Sequence, residues 1–422
     1  MPATQEPILE STQTQRLEAV LKGYFDQAPI YSGAGRSTSS PLLERHQQLP
    51  FLSKIDIRRG FPGNFIGPDA DLDALIESGA VELEHTSGTS DQRTPLLLPK
   101  GWWAEQERLA LALNPTAAAS GALLPSTRRV AITSPSCNND ISYSGTPSCA
   151  DRVVGSTQFV ALSKYPFLWS ESDLARMAEE TVDWNPVFLD VDPVYGAVFA
   201  LYCERHGIRI PSLRFILSSY EYLSVNHRRI MQRVFQVPVF NLYGSTETGH
   251  LMMEDDSGSM RPSLETAVLD IALLDERGIG DIIVSTLTNP YMPLLRYRIG
   301  DLACIETGPG GPRYELHGRA ADAFHTPSGK RVTVRDVDQC FAGSGGVVHY
   351  QLAAKEGQFQ LRTIPDGHGL EPSAETQLRD RLEHQLEAPG AVQIEPTDLM
   401  VPQGSGKFRL CIPAKPPTPS ST

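Results

Sequence analysis

The stretch "VFLDVDPVYGAVFALYCERHG", residues 187–207, decides the architecture. Its opening, "VFLDV", is a short run of apolar and branched residues ending at Asp-Pro, which reads as a buried strand. The following "VYGAVFALYCERHG" is apolar around most of its circumference and stops near Gly207, which reads as a buried helix with a glycine end. A buried strand passing straight into a buried helix is the unit from which parallel sheets are built.

The same alternation extends to both sides. "VELEHTSGTS" (81–90) reads as a strand entering a glycine-containing loop, and "RRVAITSPS" (128–136) as a strand ending in a polar turn. "SDLARMAEETVDW" before the central strand reads as a helix. "LRFILSS" (213–219) is a further strand, Asn226 to Phe235 a further helix, and "VPVFNLYGSTETG" (237–249) a strand followed by a loop. From about 80 to 250 this predicts an α/β domain with a mostly parallel, doubly wound sheet. Ligands of such sheets sit beyond the carboxyl ends of the strands, where the loops at 86–94, 219–222 and 244–249 fall.

Residues 265–320 are richer in strands, as in "AVLDIALL", "GDIIVSTL", "RYRIGDLACIE" and "RYELHG". Beyond about 320 the pattern becomes that of a small α+β unit, with a helix expected over 373–386. The expected organisation is therefore a large domain over 1–320, carrying a β-rich subdomain, and a small mobile domain over 321–422. The tail "PAKPPTPSST" is rich in proline and is expected to be disordered from about 413. Near the N-terminus, Leu17, Val20, Leu21 and Tyr24 share one helical face.

Composition sets the outer limits. The chain has 422 residues, 40% hydrophobic and 21% charged, as expected of a globular protein with a large core. A net charge of -13 argues against a nucleic-acid partner, which needs a basic face. Its six cysteines form no Cys-x-x-Cys pair, so neither a zinc ribbon nor a disulfide framework is expected. The N-terminal "MPATQEPILESTQTQRL" has no basic segment followed by an apolar one, so it is not read as a secretory signal. No window reaches the length of a membrane span. The expectation is a protein of the reducing cytoplasm with no membrane partner.

Four loops carry candidate chemistry. Thr86, Ser87, Thr89 and Ser90 supply hydroxyls around Gly88, where successive backbone N–H groups form an anion-binding nest. The alternative is a solvated Ser/Thr turn. "YGSTETG" (243–249) sets Glu247 in a glycine-flanked turn, where a carboxylate suits Mg2+ beside phosphates; the alternative is a surface glutamate. "YRIGDL" (297–302) sets Asp301 after a glycine, where it could accept from the two hydroxyls of a ribose or simply shape a turn. "GSGKFR" (404–409) sets Lys407 in a flexible loop, a compact cation suited to developing negative charge, or else an exposed lysine. This last loop is similar to a phosphate-binding P-loop, but Val401 and Phe408 stand where that motif needs Gly and Ser/Thr, which rejects it.

In this order the stretches resemble the adenylate-forming superfamily of acyl-CoA synthetases, adenylation domains and luciferases, over most of the chain. "TSGTS" looks like its phosphate loop, "LYGSTETG" like its Tyr-Gly-x-Thr-Glu motif and "YRIGDL" like its Tyr-Arg-Thr-Gly-Asp motif. "HGRAADAFHTPSGKRV" is similar to its Gly-Arg-x-Asp-Asp hinge, and "GSGKFR" to its C-terminal Ser-Gly-Lys motif. "LPFLSKIDIRRGFP" (49–62) is similar to a stretch of phenylacetate–CoA ligase-like proteins, a subgroup that usually takes aryl acids.

The resemblance implies ATP-dependent conversion of a carboxylic acid to an acyl-adenylate, with release of pyrophosphate, then transfer to an acceptor. The acceptor would be coenzyme A, a carrier-protein thiol, or a small-molecule amine or hydroxyl. It implies that Thr86, Ser87, Gly88, Thr89 and Ser90 hold the β- and γ-phosphates, Glu247 holds Mg2+, and Thr246 binds an α-phosphate oxygen. Tyr243 would stack on adenine, within the turn that continues through Gly244 and Ser245. Asp301, helped by Arg319, would hold the ribose. Ser219, Tyr220 and Glu221 would form the adenine-side loop, and Lys407 would bridge acid and α-phosphate. The acid would lie against Val194, Tyr195 and Gly196 and the loop ending at Gly249.

Three departures stand out. Asp91, Gln92 and Arg93 replace the usual continuation of the phosphate loop. Ala321 replaces the first hinge aspartate, which bears on the transfer step. The segment "GPGGPRYELHGR" (308–319) holds no cysteine just before the Gly-Arg pair, so no structural zinc is expected there, with His250 and His317 as leftover histidines. The contrasting reading is a protein that binds nucleotide or acid without turnover, as a regulator or scaffold.

Overall fold

A computed structural model describes residues 11–32, 40–67, 70–86, 93–137, 141–143, 145–308 and 311–414. The chain is an α/β protein that divides into two compact units. One comprises Met1–Leu123 with Phe240–Leu316, the other Leu124–Val239 with His317–Thr422. The C-terminal segment therefore groups with 124–239, although the sequence suggests a linear boundary near 320. The expected disordered tail lies largely outside the described residues.

The second unit holds the parallel sheet. Arg129–Ile132 pairs in parallel with both Thr157–Phe159 and Phe188–Val191, and the latter pairs in parallel with Phe215–Ser218. The first strand in sequence thus lies inside the sheet with later strands on either side, the arrangement that opens a crevice at the carboxyl ends. All four residues of Phe188–Val191 and of Phe215–Ser218 are buried, as strands covered on both faces require.

The connecting helices are locally encoded. Glu171–Trp184 opens on a capping box between Ser170 and Asp173. Pro193–His206 opens on Asp192, whose side chain accepts the Val194 N–H at 3.0 Å, and ends at Gly207 with φ +63°. Val225–Phe235 is capped by Ser224. Val130, Ile132, Leu189, Val191, Phe199, Ile216 and Met231 join one core between sheet and helices.

The C-terminal part of this unit is the expected α+β element. Its sheet runs in the order Val392–Pro396, Gln358–Pro365, Val347–Lys355, Cys411–Ile412, and the helix Pro372–Leu386 buries Leu378, Leu382 and Leu386. Its ties to 124–239 are polar as well as apolar. Asp338 accepts the Val225 N–H at 2.9 Å and the Tyr350 hydroxyl at 3.1 Å. His227 and His349, both fully buried, face each other at 3.3 Å.

The first unit is mainly antiparallel. Val81–His85 pairs with Pro95–Pro99 across the loop that carries the expected phosphate site. A larger sheet runs in the order Ala267–Ala272, Gly280–Thr286, Tyr297–Gly308, Gly311–Arg319, Met260–Pro262, Gly249–Glu254, Val239–Ser245. The N-terminal helix Ser11–Gln27 packs Leu17, Leu21 and Tyr24 against Val268, Leu287 and Leu295, with Val20 alongside, which is the face its periodicity predicts. Among the described residues no helix is long and apolar enough to cross a membrane, and all six cysteines are free thiols.

Candidate active site

In the first unit the site residues gather on one hairpin and on the strand Tyr297–Gly308. Val239–Ser245 turns through Thr246, Glu247 and Thr248 into Gly249–Glu254. The turn is tight: a Cβ on Gly244 would stand 2.1 Å from the Gly249 carbonyl oxygen, so only glycine fits. Gly249 has φ +74° and abuts Trp102 and Gln106, placing it against the helix Trp102–Leu111. Ser245 and Thr248 share a hydroxyl contact of 2.9 Å that closes the turn from inside.

Glu247 is buried. The Tyr297 hydroxyl donates to its Oε1 from 2.7 Å, and Lys54 Nζ stands 3.1 Å from the same oxygen. Burial pushes the carboxyl up, but Lys54 and the Tyr297 hydroxyl outweigh it and hold it below the usual range. Glu247 is therefore an ionised hard donor in a dry setting, which suits Mg2+ beside a nucleotide. Nearby in sequence, Tyr243 donates its hydroxyl to Asp301 Oδ2 at 2.9 Å. Thr246 is half-buried in the turn. Thr86 is buried and accepts the Thr94 N–H at 3.1 Å, fixing the base of the hairpin loop. Ser87, Gly88, Thr89 and Ser90 lie outside the described residues, as do Asp91 and Gln92.

The second unit gathers the rest at the carboxyl ends of three adjacent parallel strands. Ser134 follows Ile132, Asp192 follows Val191, and Ser219 to Glu221 follow Ser218. Ser219 and Tyr220 each donate to Asp190 at 3.3 Å, and Tyr220 takes the left-handed conformation at φ +74°. Glu221 turns the other way, and its Oε1 accepts the Phe408 N–H at 2.7 Å. Asp192 and Glu221 hydrogen-bond to one another, and the charge of Lys407 acts on both. Burial pushes Asp192 up to about 6, and burial followed by the charge of Asp192 holds Glu221 well above the usual carboxylate range. Lys407 itself is half-buried.

Tyr195 is fully buried, with its hydroxyl 2.8 Å from the Lys164 carbonyl and 3.1 Å from that of Gly406. Gly196 sits where a Cβ would meet Met231 Sδ at 2.8 Å, inside the helix–sheet core. Arg319 is exposed at the end of its strand, ahead of Ala321, which lies in a short turn of 3-10 helix. Arg409 is bonded to Asp322, next to Ala321 in that turn. The zinc expectation turned on cysteines before Gly318. The structure brings Cys304 Sγ and a Glu315 carboxylate oxygen within 4.8 Å of one another, and His317 follows two residues along the same strand.

The comparisons with known proteins bear on this geometry. No protein-family model matches the chain, and no curated sequence matches it. Solved structures do match. The crystal structure of 2-hydroxyisobutyryl-CoA ligase in the postadenylation state with 2-HIB-AMP is similar at a TM-score of 0.70 and 15% identity, over 98% of this chain and 91% of that one. The same ligase with 2-HIB-AMP and CoA in the thioesterification state is similar at 0.54 and 15%, over 96% and 91%. The anthranilate CoA ligase AuaEII in complex with anthranoyl-AMP is similar at 0.55 and 16%, over 78% and 64%. The chain has the fold of these ligases.

Within that fold, sequence reasoning missed four residues. Lys54 lies in a stretch noticed only for its resemblance, and its partner Glu247 is remote in sequence. Asp192 carried a signal, since an Asp-Pro after a buried strand is a helix cap at a carboxyl end. Ser134 and Lys164 carried none; their place follows only from how the C-terminal loop packs.

Proposed function

We propose that the chain activates a carboxylic acid with ATP and passes the acyl group to an acceptor. A carboxylate oxygen of the acid attacks the α-phosphorus. The bond from that phosphorus to the bridging oxygen of the β-phosphate breaks, and pyrophosphate leaves with the electron pair. The acceptor thiol, amine or hydroxyl then attacks the acyl carbon, the acyl–oxygen bond breaks, AMP departs, and the acceptor releases its proton. The observation that carries the reading is the seating of the Lys407 loop at the carboxyl ends of three parallel strands, within this fold.

The chain's own residues divide the work. Lys407 offers a fixed cation to the charge that builds between acid and α-phosphate. Asp301 and Arg319 serve the ribose, Tyr243 the adenine, and Ser219 and Tyr220 the adenine-side loop. Thr86, Ser87, Gly88, Thr89 and Ser90 bind the outer phosphates, and Thr246 the α-phosphate. Glu247 would hold Mg2+, which supplies neutralising charge to the phosphates when bound. The turn at Gly244, Ser245 and Gly249 shapes the acid pocket. The segment 321–422 acts as a lid that keeps water from the adenylate.

The stretch 49–62 supports the phenylacetate–CoA ligase-like subgroup and hence an aryl acid. The similar structures hold a small hydroxy acid in one case and an aryl acid in the other. Coenzyme A is the acceptor those structures favour, since one contains it. ATP–pyrophosphate exchange over aryl, hydroxy and alkyl acids tests the reading, with thioester detection by mass when coenzyme A is added. Exchange with at least one acid, abolished in Lys407→Ala while nucleotide still binds, is the expected result. Well-folded protein that exchanges with none of them would overturn it.

A further inference from the structure

The turn that carries Lys407 is held by its backbone. Gln403 N–H donates to the Lys407 carbonyl at 2.8 Å, and Gly406 N–H to that of Gln403 at 2.9 Å, so residues 403–407 close on themselves. Lys164 Nζ donates to the Gly404 carbonyl at 3.1 Å. The Tyr195 hydroxyl reaches the Gly406 carbonyl at 3.1 Å. Gly406 has φ +88°, and a Cβ there would stand 2.2 Å from Ser134 Oγ, so the turn presses directly on a strand end. Phe408 then packs against Phe167 and His349 at ring separations of 5.6 and 5.0 Å.

Glu221 is the acidic contact in this set, and it does two things at once. One oxygen accepts the Phe408 N–H at 2.7 Å, and the carboxyl also bonds Asp192. Two carboxylates cannot hydrogen-bond without a proton between them. Each carboxyl already accepts a backbone N–H, that of Phe408 on Glu221 and that of Val194 on Asp192, so the one proton lies in the bond between them. The pair then bears a single negative charge facing Lys407.

We infer that Glu221 and Asp192 are positioning residues for Lys407, and that their shared proton fastens the 403–408 turn onto the strand ends. Losing that proton would put a second negative charge beside Lys407 and draw the ammonium toward the pair, away from the reacting phosphate. The other titratable groups facing the pair are Cys137 and Tyr195. Cys137 feels both carboxyls and Lys407, and burial pushes its thiol up. Burial likewise pushes the Tyr195 phenol up.

Two substitutions separate the parts of this inference. Glu221→Gln keeps an acceptor for Phe408 N–H and gives Asp192 a permanent donor, so it imitates the protonated carboxyl. Glu221→Ala removes both. Amide hydrogen exchange of Phe408, followed by NMR or mass spectrometry, needs no turnover and does not depend on the proposed reaction. It should speed up about tenfold in Glu221→Ala, as loss of one buried hydrogen bond implies, and stay near wild type in Glu221→Gln. Unchanged exchange in Glu221→Ala would overturn the clasp, and Glu221→Gln behaving like Glu221→Ala would overturn the shared proton.

The kinetic half rests on the adenylation reading. Pyrophosphate exchange in Glu221→Ala should lose about tenfold in kcat with KM for ATP nearly unchanged, since the lysine is misplaced rather than the nucleotide. In Glu221→Gln the alkaline limb of the pH profile should disappear. A raised KM for ATP with intact kcat would instead put Glu221 at the adenine and defeat the assignment. If wild type exchanges with no acid, the reaction reading fails, while the amide measurement still decides the clasp.

Discussion

Lys54 Nζ and the Tyr297 hydroxyl converge on a single oxygen of Glu247, from 3.1 and 2.7 Å. The carboxylate side chain is 3% exposed and the lysine 45%. Losing the lysine would leave the carboxylate with the phenol and no counter-charge, so burial would dominate and its pKa would rise. Removing one partner of a fully buried pair costs 3–5 kcal/mol, and the exposure of Lys54 reduces this to about 1–2 kcal/mol. Urea unfolding of Lys54→Met should show that loss at neutral pH, and Glu247→Gln in the same background should recover part of it. A Lys54→Met protein as stable as wild type would mean that the pair contributes nothing.

Tyr243 and Asp301 share a hydrogen bond of 2.9 Å that any ribose bound to Asp301 must accommodate. The phenol orients the carboxylate. Tyr243→Phe should therefore raise KM for ATP about threefold with little change in kcat, since Asp301 loses one donor but keeps its charge. Asp301→Asn should weaken nucleotide binding further, measured by calorimetry with ATP alone. Equal ATP affinity in Asp301→Asn and wild type would remove Asp301 from the nucleotide site.

What the sequence displayed was local. "VFLDV" and "LRFILSS" were legible because an apolar run bounded by Pro or a polar turn can hardly be anything but a buried strand. The glycines of "LYGSTETG" announced a tight turn, and Gly244 does meet Gly249 too closely for any side chain. The contacts that give the turn its electrostatics were not legible. Nothing in "LPFLSKIDIRR" says that Lys54 reaches Glu247, and nothing near Glu221 says that it grips the backbone of Phe408. Both depend on how distant segments pack. The grouping of 317–422 with 124–239 is of the same kind: Asp338 caps a helix that begins at Val225, far earlier in the chain.

His227 and His349 lie 3.3 Å apart with rings nearly parallel, so both are neutral, one donating and one accepting. Burial pushes His227 down to about 3 and, with the adjacent His227, holds His349 well below its ordinary value. The unfolded chain takes up a proton at each as pH falls through about 6.5, while the fold refuses it. Their contribution is complete above that pH and fades on acidification by up to about 1.4 kcal/mol per pH unit for each histidine. Asp338, pushed by burial up to about 7, works in the opposite direction, because the fold keeps a proton that the unfolded chain releases. Comparing His349→Gln with wild type cancels that term. Between pH 6.5 and about 4 the variant should lose stability less steeply, by close to one proton's slope. Identical pH dependence would mean that His349 is not buried and neutral.

Arg152 is 1% exposed and grips Glu180 with two nitrogens, at 2.9 and 2.5 Å, while donating to the Phe159 carbonyl at 2.5 Å. Arg176 reaches the same carboxylate at 2.9 Å and the Val160 carbonyl at 3.0 Å. The cluster thus ties the helix Glu171–Trp184 to the strand Thr157–Phe159, which pairs with the strand that leads to Ser134. A planar fork is needed for this geometry, and lysine does not supply one. Arg152→Lys should cost about 2 kcal/mol and Arg152→Met about 3 kcal/mol, less than a fully isolated charge because Arg176 still neutralises Glu180. Combining Arg152→Met with Glu180→Gln should cost less than the sum of the two single changes, by 1 kcal/mol or more on the order of a coupled pair. Strict additivity in urea titrations would show that the two side chains do not share one network.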